Sequence, residues 1–226
     1  DNHIFKYGTN MKFSIDFKKL GFAKEKKIYL ENDGNLAAYS EYLSHFKNDY
    51  KNLIMLTFGT GVGGGIIYNS EIFKGSGNAG EIGRILINEK SYLEDVISAK
   101  AWTKKCQELY EINKETKLSN IFYEEKVGSL LFDRSIDLED YEKYARDEII
   151  QNTSNALISL FELFDNDIFV IGGSMTKSPY DFLPLLDEYI SKNFEFPNRN
   201  FPKIKLSKAR EDSGMLGAAL LALNSE

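Results

Sequence analysis

Residues 59–65 read Gly-Thr-Gly-Val-Gly-Gly-Gly, five glycines in seven positions, between two apolar runs, Asn52-Leu53-Ile54-Met55-Leu56-Thr57-Phe58 and Ile66-Ile67-Tyr68. Glycine loses more backbone freedom on ordering than any other residue, so the stretch does not suit a helix; between two β-type runs it turns the chain back on itself. A hairpin is predicted, closing at an Asn69-Ser70 turn. Gly59, Gly61 and Gly64 also satisfy Gly-x-Gly-x-x-Gly. That dinucleotide-binding pattern needs a helix directly after the glycines, whereas a strand follows here. Two readings remain: a hairpin that merely turns, or one whose backbone N–H groups point at a phosphate, with the Thr60 hydroxyl beside them. Five glycines exceed what the usual two-residue hairpin loop needs, which favours the phosphate cradle.

The rest of the chain alternates strand-like and helical patterns, as an α/β protein does. Residues 27–30 read as a strand running into a helix capped by Asn32 or Asp33, with Leu36, Ala37, Tyr39, Leu43 and Phe46 at roughly helical spacing. A second short strand pair is expected from 72–73 and 85–87, either side of Gly75-Ser76-Gly77. Residues 92–110 look helical, and 115–131 carry no clear pattern. From near Asp137 a long helix places Leu138, Tyr141, Ala145, Ile149, Ala156, Leu160 and Phe164 on one face. A buried strand over 168–171 is closed by Gly172-Gly173-Ser174; a helix over 179–193, a strand over 203–206 and a small-residue helix opened by Ser213 complete the chain.

Composition narrows the function. Twenty-eight Lys and Arg against 34 Asp and Glu give a net charge of -6, which argues against a surface built to grip nucleic-acid phosphates. Cys106 is the one cysteine, so no intrachain disulfide and no cysteine-rich zinc site can form, and a cytoplasmic location is expected. The N-terminal residues show no basic-then-apolar signal, and no membrane-spanning run is present.

Asp33, after a predicted strand and beside Asn32, suits a carboxylate that takes a proton from a substrate hydroxyl, and equally a helix cap. Glu81 and Glu94 suit sugar hydroxyls, although carboxylates so placed are, taken alone, more often solvated surface.

In chain order these pieces resemble the ROK family (repressors, open reading frames and sugar kinases). Glu31-Asn32-Asp33-Gly34-Asn35-Leu36-Ala37-Ala38 is similar to the family's Glu-Asn-Asp-Ala-Asn-x-Ala-Ala; Phe58 to Gly65 to its second phosphate loop; and Ala79-Gly80-Glu81-Ile82-Gly83 to its Ala-Gly-Glu-Ile-Gly-His motif. Ile171-Gly172-Gly173-Ser174 resembles the adenosine-side turn, and the segment from Glu211 to Ala219 the closing helix.

The resemblance implies an actin-like (ribonuclease H-like) ATPase fold of two lobes. Residues 1–48 would be the remainder of the N-terminal lobe, 49–210 the C-terminal lobe, and 211–226 a helix returning toward the first. It implies Asp33 as general base; Asn32, Asp33, Glu81, Arg84 and Glu94 at the sugar, with Asn10 near it; and Gly59, Thr60, Gly61, Gly63, Gly172 and Gly173 at the nucleotide. ATP and Mg2+ would be used.

The sequence departs from the family pattern in three places. No Asp-x-Gly-Gly-Thr phosphate loop precedes Asp33, so the first lobe is expected to be incomplete and this chain inactive in phosphoryl transfer. Arg84 stands where the family has a histidine; it would clamp an anionic sugar or pair with a nearby acid. No cysteine lies between Gly83 and Glu94, so no zinc or other protein-held metal is expected, and His3 and His45 are too isolated to replace the missing ligands. The expected function is an ATP-dependent kinase of a hexose or N-acetylhexosamine. The alternative is the sugar-sensing effector domain of a NagC-like transcriptional repressor whose DNA-binding helices lie upstream of residue 1. In both cases the partners are a sugar and a second copy of the chain, with no nucleic-acid or membrane contact by this chain.

Overall fold

The computed structural model describes residues 4–5, 13–21, 26–112, 132, 137–138, 140–173, 182–209 and 212–224. Asn10, the 115–131 segment, Ser174 and Glu211 lie outside the described residues. A small antiparallel pair, β1 (Ile4–Phe5) and β2 (Ile15–Asp16), precedes the main body. That body is a five-stranded sheet of β3 (Leu53–Phe58), β4 (Val62–Tyr68), β5 (Glu71–Ile72), β6 (Ile168–Gly172) and β7 (Lys203–Leu206), in the order β5-β4-β3-β6-β7. The β3–β4 hairpin is antiparallel with Phe58 opposite Val62, while β3, β6 and β7 run parallel.

Strand alternation sends neighbouring residues to opposite faces. Leu53, Met55, Ile67, Ile168 and Val170 pack on one face against Ala37, Ala38, Tyr42 and Phe46 of α1 (Asp33–Glu41) and the π-helical turn that extends it to Phe46. Ile54, Leu56, Phe58, Phe169 and Ile171 face the other way. They meet a layer made by α2 (Glu94–Ile97), α3 (Ala99–Ile112), α4 (Asp140–Phe164) and α5 (Phe182–Asn193). With both faces covered, every residue of β6 is buried, which is why its sequence is an unbroken apolar run. α6 (Ser213–Asn224) lies on α1, and the two approach so closely that a Cβ on Gly217 would fall within van der Waals overlap of the Leu36 carbonyl. α1 packs directly on the sheet as the layer covering one of its faces.

Three local expectations are corrected. Residues 27–30 lead into α1 but pair with no strand among the described residues: β-type composition says that a segment suits a sheet, not that a partner edge lies within its reach. Residues 85–87 do not pair with 72–73: β5 pairs with β4, and Leu86 bridges Tyr92. The helix expected over 92–110 breaks at Ser98, whose extended backbone ends α2 and whose Oγ accepts the Ala101 N–H at 3.1 Å to cap α3.

Candidate active site

The C-terminal ends of the parallel strands β3 and β6, the start of α1 and the start of α6 gather at one end of the sheet. This is where open α/β sheets hold ligands.

At the start of α1 the two possible caps separate into different roles. Asn32 is the N-cap, its Oδ1 accepting the N–H groups of Gly34 (2.8 Å) and Asn35 (3.2 Å). Asp33 is the first helical residue, exposed, with Oδ1 accepting the Gly34 N–H at 2.9 Å. Its other carboxylate oxygen has no partner among the described residues. The positive end of the helix dipole favours a negative charge at this position.

Beneath this cap sits Glu31, which sequence reasoning did not single out. Its Oε1 accepts from the Asn35 side chain (2.9 Å) and the Asn32 backbone (3.1 Å), and its Oε2 pairs with Lys74 Nζ at 2.5 Å. Burial alone would raise its pKa; the hydrogen bonds from Lys74, Asn35 and the Asn32 N–H, with the Lys74 charge, outweigh it and hold the carboxyl below its ordinary value. Glu41, at the far end of α1, is fully buried. Its Oε1 accepts from the Ser207 hydroxyl and from the Ala209 N–H at 2.8 Å, joining α1 to the segment that leads into α6.

The glycines of the hairpin divide into two groups. Gly64 and Gly65 are buried against α1 and the Gly80–Ile82 segment: a Cβ on Gly34 would stand 2.3 Å from the Gly64 carbonyl oxygen, one on Gly65 2.4 Å from the Gly34 carbonyl oxygen, and one on Gly64 2.5 Å from the Ile82 side chain. None of the glycines at 59–65 has a positive φ, so they supply room rather than unusual dihedrals. At the tip, the Gly59 N–H is satisfied by the Gly61 carbonyl (3.0 Å), and the Gly59 carbonyl accepts the Ala99 N–H of α3 (2.9 Å). The N–H groups of Thr60 and Gly61 meet no acceptor among the described residues. Gly63 is exposed on the strand beyond them.

Around the tip stand the acidic candidates. Glu94, at the start of α2, puts Oε2 2.7 Å from where a Gly61 Cβ would be, so a side chain at 61 would displace it. Glu81 is exposed and precedes the 3-10 turn Ile82–Arg84. That turn lies on β4: Ile82 covers Gly64, and Gly83 sits against the Val62 carbonyl. The Glu81 and Glu94 carboxylates have no hydrogen-bond or ion-pair partner among the described residues. Arg84 is exposed with its guanidinium carbon 4.6 Å from the centre of the Tyr92 ring. Of the two partners expected for Arg84, a ligand anion or a nearby acid, no acid is found among the described residues. Gly173, at φ +97°, follows β6 and packs on Phe58, the residue before the hairpin; Gly172 packs on Met55 and Ser207. A Cβ on Gly214 of α6 would stand 3.9 Å from the Asp33 carbonyl oxygen. Among the described residues, no three His, Cys, Asp or Glu gather as a metal site, and no helix is long and apolar enough to cross a membrane.

The model of the ROK family matches residues 13–225. The chain belongs to the ROK family. It is 26% identical over 210 residues to a glucokinase of Thermotoga maritima, covering 86% of this chain and 65% of the relative. A solved ROK family glucokinase from Streptomyces griseus, in complex with glucose and AMPPNP, superposes with a TM-score of 0.72 at 23% identity, covering 92% of this chain and 71% of that one. A ROK family transcriptional regulator, a homolog of the E. coli MLC protein, superposes with a TM-score of 0.75 at 20% identity, covering 94% and 57%. The mixed sheet is thus that of the ROK sugar kinases, an actin-like ATPase fold. The chain spans 61–65% of the length of the first curated relatives it matches.

Proposed function

We propose that this ROK protein is an ATP-dependent sugar kinase. One observation carries the reading: Asp33, with an uncommitted carboxylate oxygen, stands on a helix start packed directly against the glycine strand whose tip offers the uncommitted N–H groups of Thr60 and Gly61. A base and a phosphate cradle on one face are what phosphoryl transfer to a hydroxyl requires.

In this reading Asp33 accepts the proton of a sugar hydroxyl as that oxygen attacks the terminal phosphoryl group of ATP. The bond to the bridging oxygen breaks, ADP leaves, and the proton stays on the Asp33 carboxylate until water removes it. Asn32, Glu81, Arg84 and Glu94 hold the sugar, the carboxylates accepting its hydroxyl protons. Thr60, Gly61 and Gly63 hold phosphate with Gly59 setting the turn, and Gly172 and Gly173 leave room for the nucleoside. A nucleotide fits the donors at the tip. Mg2+ would neutralise phosphoryl charge, and it asks of the protein only one or two carboxylates, the remaining ligands being phosphate oxygens and water. A hexose or N-acetylhexosamine substrate, a cytoplasmic location and a homodimer complete the proposal.

The regulator among the structural neighbours supports a second reading, in which the same face senses a sugar without turning it over. Incubating the whole protein, with any residues that precede residue 1, with ATP, Mg2+ and a panel of hexoses and N-acetylhexosamines separates the two, since the chain without a first phosphate loop is expected to be inactive. Sugar-dependent ADP release is expected; sugar binding with no ADP release assigns the chain to the sensing class instead.

A further inference from the structure

We propose that Arg84 selects a sugar carrying an anionic substituent, a carboxylate or a phosphate, over the neutral sugar of the same ring. The inference rests on the sugar-site reading above and adds the substrate class.

Three features of Arg84 lead there. Its position is tied to the candidate site by the turn that carries it. Ile82 and Gly83 lie on β4 at Gly64 and Val62, and the Ile85 carbonyl accepts the Leu93 N–H at 2.8 Å, so the turn and the residues leading to Glu94 form one small unit over the glycine strand. The guanidinium also rests on an aromatic ring. Its carbon lies 4.6 Å from the centre of the Tyr92 ring, a cation–π contact that takes up none of its five N–H donors as hydrogen bonds to a carboxylate would. Finally, those donors are uncommitted: no carboxylate pairs with Arg84 among the described residues, although Glu81 is three residues before it and Glu94 begins the next helix.

A guanidinium resting on a ring, with no acid on its fork, matches the two oxygens of a carboxylate or phosphate better than the single hydroxyls of a neutral sugar. Asp33, Glu81 and Glu94 oppose an anion. Their opposition acts through water and fades with distance over a screening length of about 8 Å, whereas a forked contact with Arg84 is direct.

The test is calorimetric binding of D-glucose, D-glucuronate, D-glucose 6-phosphate, N-acetylglucosamine and N-acetylmuramate to the full chain and to its Arg84→Gln and Arg84→Lys variants. At least one anionic sugar is expected to bind about 10-fold or more tighter than its neutral parent, the ratio typical of a charged hydrogen-bonded pair. That ratio should fall to near one in Arg84→Gln and be partly kept in Arg84→Lys, which retains charge without the fork. The carboxylate and phosphate arms identify which anion is read. Neutral parents binding as well as or better than every anionic partner, or Arg84→Gln weakening both members of each pair equally, overturns the inference while leaving the sugar site standing. If no sugar binds at all, the sugar-site reading falls and the inference with it.

Discussion

Gly34 and Gly64 touch backbone to backbone: a Cβ at position 34 would lie 2.3 Å from the Gly64 carbonyl oxygen. The contact fixes where α1 begins and therefore where Asp33 stands. Gly34→Ala is expected to lower stability by about 1–3 kcal/mol, since neither backbone can yield cheaply. Gly59→Ala, with no atom within 4 Å of the new methyl group and no positive φ, should change stability by about 0.5 kcal/mol or less. Thermal unfolding of the two variants side by side checks the contrast.

Asn32→Ala removes the acceptor of the Gly34 and Asn35 N–H groups. A loss of about 1 kcal/mol is expected, roughly 2–4 °C in Tm for a domain of this size. An unchanged Tm would mean that another group caps α1.

Asp33→Asn keeps the oxygen that accepts from Gly34 and loses only the charge at the helix start, about 0.3–1 kcal/mol, so the melting temperature should fall by about 4 °C or less. In the whole protein, with any residues that precede residue 1, turnover should fall by about 100- to 10,000-fold, because the amide cannot take a proton. Sugar binding with lost ADP release is the expected pair of readouts; full activity would remove Asp33 from the role of base.

Glu31 gives the protein an acid-sensitive element. Its folded pKa lies below its ordinary value of 4.5, so the folded state binds the proton less tightly than the unfolded chain. The stabilisation is present above the ordinary value and is lost as pH falls through the lower, folded one. Lys74→Met removes the first-named stabilising partner, so its Tm deficit against the parent should be largest at neutral pH and shrink below about pH 4.5. A deficit that does not vary with pH would show that Lys74 acts through packing.

Glu41→Ala takes away the acceptor shared by Ser207 and Ala209 in a fully buried setting. A loss of about 2–4 kcal/mol in denaturant unfolding is expected, given about 1–3 for each buried polar group left unmatched. Glu41→Gln keeps an acceptor oxygen and should lose less.

What the sequence made legible follows from how locally each feature is encoded. β3, β4 and β6 were readable because apolar runs meet glycine or Asn-Asp punctuation, and α6 because Ser213 precedes a small-residue run. Residues 27–30 have strand composition too, but a strand needs a partner edge within reach, and composition does not encode where the fold carries the segment. The choice between Asn32 and Asp33 as cap stayed open because both side chains can accept an N–H. Five glycines were read as room for phosphate, yet Gly65 leaves room for Gly34 of α1, and Gly64 for Ile82 and Gly80. The pairings Glu31 with Lys74 and Glu41 with Ser207 join distant segments, and no local pattern announces them.

The contact of Gly217 with Leu36 has a mechanical meaning. Soft side chains between two helices act as cushions, letting one shift while the other stays. Here the C-terminal helix bears on α1 main chain to main chain, and α1 bears on β4 in the same way through Gly34. A push on α6 has no padding to compress, so it arrives at residue 33 as displacement: the last helix is a rigid pushrod to the candidate base.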